Sequence, residues 1–131
     1  MIGSLMMRFS VVLLLGGMLG GIAMGVAENF TLMPAHSHLN LIGGVLLFLF
    51  GLYYRFVPEA GASRLARIQG WLHMVGALLF PGGLAVMLLN GHHLVFLPII
   101  GSFIVVAAMA LFAVIVFQTT QQPTAQSRPA G

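Results

Sequence analysis

The chain has 131 residues, 60% of them hydrophobic and 5% charged, with a mean hydropathy of +1.06. So little charge cannot cover a water-soluble domain, and the composition assigns the chain to a bilayer as one compact membrane domain. Its five basic residues are all arginines and form no stripe for nucleic acid, while the lack of cysteine excludes disulfides and thiolate sites.

Four apolar runs, at about 9–27, 36–57, 68–89 and 94–117, each have the roughly 20 residues needed to cross the hydrocarbon core as a helix. The expected fold is an all-α four-helix membrane bundle. The first run carries GGMLGGIAMG, in which Gly16/Gly20, Gly17/Gly21 and Gly21/Gly25 are small-xxx-small pairs. Such pairs let another helix approach closely, either within the bundle or from a second copy. A competing reading takes residues 1–27 as a signal peptide, with Arg8 as its basic region and Gly25-Val26-Ala27 as the cleavage site.

Glu28, Asn29 and Pro34 occupy the first gap, and proline suits a helix's first turn. The second helix should therefore begin near Leu32 to Pro34. Pro58 to Gly61 and two arginines fill the second gap, and Asn90-Gly91-His92-His93 makes a tight third. The tail, 118–131, lacks apolar periodicity and reads as disordered. Four spans put both termini and the middle loop on one side, together with Arg8, Arg55, Arg64, Arg67 and Arg128. By the positive-inside rule that side is cytoplasmic, in the cell's inner membrane.

The chemistry lies in the histidines. His36 and His38 open the second span in AHSHLNLIGG. In an extended segment, residues two apart share a face and could chelate one ion. On an α-helix they stand about 200° apart, and one ion cannot easily be gripped by both. His36, Asn40 and Gly43 then share a stripe, with Gly43 leaving flat space where a planar macrocycle could lie. His92 and His93 lie at the same outer level, either hydrated or joining His36 and His38 in a metal cluster. His73 is expected near the inner side, on the order of 20 Å from His38 in depth, hydrogen-bonded within the bundle.

Beyond Ala35, AHSHLNLIGGVLLFLFGLYYRFVP resembles a helix of subunit I of the heme-copper oxidases. The matching features are His36, His38, Gly43, Gly44, Phe48, Phe50, Gly51, Tyr53, Tyr54 and Pro58. RLARIQGWLHMVG with Phe80-Pro81 is similar to that family's next helix, with Gln69 in place of its usual histidine. The resemblance covers residues 35–83. It implies back-to-back histidines: His36 as a proximal ligand of a high-spin heme, and His38 as a ligand of a low-spin heme. The family's other ligand-bearing helices have no counterpart here, so the lone chain is not expected to reduce dioxygen.

The expectation is a small heme-binding membrane protein, most simply with b-type heme, serving electron transfer in a respiratory chain. His36 or His38 would be an axial ligand, and His92, His93 or a second copy would supply the other. A bis-histidine site favours electron transfer over oxygen chemistry. The chain would work as a homo-oligomer or as a subunit of a respiratory complex. Two alternatives stand beside it. One is a heme-free accessory or assembly subunit. The other is an outer-face copper or zinc site, where Met24, Met33 and Met87 would supply thioethers suited to Cu(I). Glu28 and Glu59, the two carboxylates, lie on opposite sides of the membrane, which leaves no acid–base pair for hydrolysis.

Overall fold

The computed structural model describes residues 1–120, except for the side chain of His92. Helix α1 spans Ile2–Val26, α2 Met33–Phe56, α3 Pro58–Ala62, α4 Arg64–Asn90 and α5 Phe96–Thr120, with a 3₁₀ turn at His92–Leu94. There is no strand among the described residues. Apart from α3, all are long and apolar enough to cross a membrane, and the molecule is an all-α, multi-pass four-helix bundle.

Three helices run past the apolar stretches at an end that includes polar residues: Ser4 and Arg8 in α1, Arg64 and Arg67 in α4, and Gln118 to Thr120 in α5. Ser63 caps α4, its Oγ accepting the Ala66 N–H at 3.0 Å, so α4 starts at Arg64 rather than near residue 68. Helix α1 starts at Ile2 and holds Arg8 within it, where a long side chain can reach toward the helix end. Gln118 to Thr120, expected in the tail, complete the last turn of α5, and 121–131 lie outside the described residues. Helix α1 closes with a Schellman motif: Asn29 N–H bonds the Met24 carbonyl and Glu28 N–H that of Gly25. Glu28 itself takes the left-handed position, at φ 50°.

Helix α1 packs on α2, α2 on α4, and α4 most extensively on α5. The core holds Ile2, Met6, Leu47, Phe50, Tyr54 and Met74, so α1 is an integral part of it. Arg55 donates to Ser4 Oγ at 2.9 Å, which puts the start of α1 level with the end of α2 as four antiparallel spans require. Leu47 is completely enclosed. Leu47→Ala should destabilise the folded protein by about 2–5 kcal/mol, through lost burial and the cavity left behind. Reversible unfolding in mixed detergent micelles measures this, and a loss well under 1 kcal/mol would mean that the core is looser than described.

Helix α2 is not α-helical throughout. Leu39–Leu46 form a π-segment between α-helical ends. Widening the repeat shifts the register of everything above it, and such segments interrupt the regular hydrogen-bond ladder. In a bilayer any freed backbone group must find a partner inside the protein. Here His73 Nε2–H donates to the Ile42 carbonyl at 3.1 Å.

Candidate histidine site at the head of the second spanning helix

Helix α2 begins at Met33 with Pro34 in its first turn, so His36 and His38 are helical from the outset. They face different neighbours. His36 lies against α1, where a Cβ added to Gly21 would stand 3.0 Å from its Cε1. The His38 ring meets Phe80 of α4 edge-on, with centroids 4.7 Å apart. The pair cannot close on one ion without unwinding the helix, which removes the chelating option.

The two rings also differ in which nitrogen is free. Asn40 Nδ2–H faces the His36 ring, 3.0 Å from Nε2 and 3.5 Å from Nδ1; the shorter contact engages the Nε2 lone pair and leaves the ring proton on Nδ1. His38 Nδ1–H donates to the Pro34 carbonyl at 2.7 Å. A carbonyl can only accept, so the His38 proton is on Nδ1 and the lone pair on Nε2. That Nε2 has no hydrogen-bond partner among the described residues and is not sealed from the surface. An imidazole held through one nitrogen by a backbone carbonyl, with the other nitrogen open, is the arrangement metal-binding histidines adopt.

The glycines of α1 divide by role. Gly17 and Gly21 take up Asn40 and His36, while Gly16, Gly20 and Gly25 have no neighbour within 4 Å of an added Cβ. Of the three expected packing pairs, therefore, Gly17/Gly21 makes the contact within the bundle. Gly16, Gly17 and Gly20 with Pro81, Gly82 and Ala85 of α4 wall an apolar cleft of about 310 Å³ that reaches His36 and Met24. Gly43 does not provide the flat space expected of it. An added Cβ there would lie 2.8 Å from Leu13 Cδ1, so Gly43 is packed against α1.

His73 is wholly buried, with its ring 4.8 Å from that of Phe50, and it hydrogen-bonds within the bundle as expected. Its depth is a correction. Ile42, bonded to His73, lies four residues beyond His38, and Phe80, beside His38, lies seven beyond His73, so the separation is about 6–10 Å rather than 20. His73 remains engaged with Ile42 and is not offered to His36 and His38. His93 is exposed in the turn between α4 and α5, beyond Gly91, whose φ of 105° closes α4. Among the described residues, no three His, Asp or Glu side chains converge into a metal-holding group. The resemblance marks Tyr54 as a match and Gln69 as a departure but does not pair them, yet Tyr54 O–H donates to Gln69 Oε1 at 2.9 Å in the core. A glutamine inside the apolar run, near its start, was the available signal, because buried amides need partners.

Fold and site define an all-α membrane protein with two differently committed histidines at one end of its second span. Comparison with protein-family models, with curated proteins and with solved structures gives no significant match in any of the three. None of them links the chain to heme-copper oxidase subunit I.

Proposed function

We propose that the protein binds a heme, b-type in the simplest case, through His38 and serves electron transfer in a respiratory membrane. The observation that carries this reading is the hydrogen bond from His38 Nδ1–H to the Pro34 carbonyl. It orients the ring and leaves the Nε2 lone pair for iron. The bound group would supply one-electron redox chemistry. The chain's part is to hold the imidazole in one tautomer, with Phe80 against one edge of its ring.

A second imidazole would favour electron transfer over oxygen chemistry. His36 is poorly suited, because its lone pair is taken by Asn40. His93, exposed in the outer turn, is available from the same chain, and a second copy or a partner subunit would supply one otherwise. The arginine-bearing ends would face the cytoplasm in the inner membrane, which puts the histidine end on the outer side.

The test is the absorption spectrum of the protein purified from heme-replete membranes. A Soret band at stoichiometric intensity is expected, with the low-spin character of two nitrogen ligands if His93 or a second copy completes the site. A colourless protein would overturn the proposal. Co-purification of that colourless protein with a larger respiratory complex would establish the heme-free accessory subunit instead.

A further inference from the structure

Gln69 and His73 stand four residues apart on one face of α4, and both side chains are fully buried. Each has one polar side-chain atom engaged and one without a partner among the described residues. Gln69 Oε1 accepts from Tyr54, while Gln69 Nε2 has no partner among the described residues. His73 Nε2–H donates to the Ile42 carbonyl, while His73 Nδ1 likewise has none. The two unpartnered atoms are of opposite kind. An amide nitrogen is a donor; the Nδ1 of a neutral ring whose proton is on Nε2 is an acceptor.

We propose that one water molecule bridges Gln69 and His73 inside the bundle, completing a hydrogen-bonded chain from Tyr54 to the π-segment of α2. Water is the ligand class that satisfies both atoms, since it accepts from Nε2–H and donates to Nδ1. A cation would be repelled by the amide hydrogens, and an anion by the imidazole lone pair. No direct bond joins the two side chains. Side chains four apart on a helix stand about 5–6 Å apart at Cβ, a separation one water can bridge. In hydrocarbon surroundings neither atom can turn to solvent, so the need for a partner is acute.

Donors and acceptors then point one way throughout: Tyr54 to Gln69, Gln69 to water, water to His73, and His73 to the Ile42 carbonyl. A carboxamide relays protons poorly, so the chain is a structural tie and no proton path. Its end lies in the π-segment that directly follows His38 in α2. The inference is independent of heme binding.

Water-edited solid-state NMR of the full chain in bilayers tests it. In a variant with His36, His38, His92 and His93 replaced by Gln, His73 is the sole imidazole. The expected result is a non-protonated Nδ1 and magnetisation transfer from water to both His73 and the Gln69 amide. Gln69→Met should reduce the His73 transfer to background without changing the helical circular dichroism. Absence of transfer to His73 before Gln69 is touched would overturn the proposal. So would a scalar coupling between Gln69 Nε2 and His73 Nδ1, the mark of a direct bond.

Discussion

Gly101→Val will destabilise the folded bundle by about 3 kcal/mol or more, the upper end of what overpacking usually costs. An added Cβ at Gly101 would meet Phe80 Cα and backbone N, each at 2.5 Å, and the Leu79 carbonyl carbon at 2.8 Å. All three are backbone atoms, so no side-chain rotation relieves the clash and α4 must move away from α5. Much else depends on that approach. Gly83 returns it by closing on the backbone of Leu97 and Pro98, and Gly76 by closing on Val105 and Ile104. Inside a bilayer little hydrophobic force holds two helices together, and the loss of close contact is not made up elsewhere. Gly25→Ala is the control, because its added methyl meets nothing within 4 Å. Unfolding of both variants in mixed micelles should separate them clearly. If Gly101→Val were as stable as Gly25→Ala, the α4–α5 contact would not be as close as described.

These glycines also show where sequence reading reached its limit. Those in α1 announced themselves by four-residue spacing, and one pair, Gly17/Gly21, receives the side chains of Asn40 and His36. The glycines that join α4 to α5 carry no such signature: Gly76 and Gly83 are seven apart and Gly101 stands alone. Yet theirs is the most extensive interface of the bundle. Which glycine meets a neighbour depends on how helices are rotated about their axes, and hydropathy is silent on rotation. Span number and the start of α2 were legible, because length, proline chemistry and arginine placement act locally.

The candidate site was legible in part for the same reason. Two histidines two residues apart on a helix must diverge, and His36 and His38 do. The π-segment was invisible, since a change of hydrogen-bond register leaves no mark in composition. The depth of His73 is hidden in the sequence because the apolar run begins later than α4 itself, which starts at its Ser63 cap. Gly43 was read as space on the same helical stripe as His36, when the neighbour that fills the space, Leu13, comes from a different helix.

His38→Ala should lower the heme retained per polypeptide on the order of tenfold or more, and His36→Ala should leave the Soret band largely in place. The contrast follows from proton placement rather than from position along the helix, since the two residues are near neighbours at one end. For His38 the proton is committed to the Pro34 carbonyl and the lone pair is free; for His36 the lone pair is committed to Asn40. A ligand whose orientation is fixed by a backbone bond loses little freedom on binding iron, and removing it takes away both the bond and the orientation. His36→Ala instead frees Asn40 and opens space beside Gly21, which should lower stability and shift the band only slightly. His93→Ala, alone and with His92→Ala, identifies the second ligand: loss of the low-spin spectrum assigns it to the turn between α4 and α5, and retention in the double variant assigns it to a second copy or a partner subunit. The reverse pattern, with His36→Ala bleaching the protein and His38→Ala sparing it, would place the iron in the cleft beside Met24 and require Asn40 to release its hold on the ring.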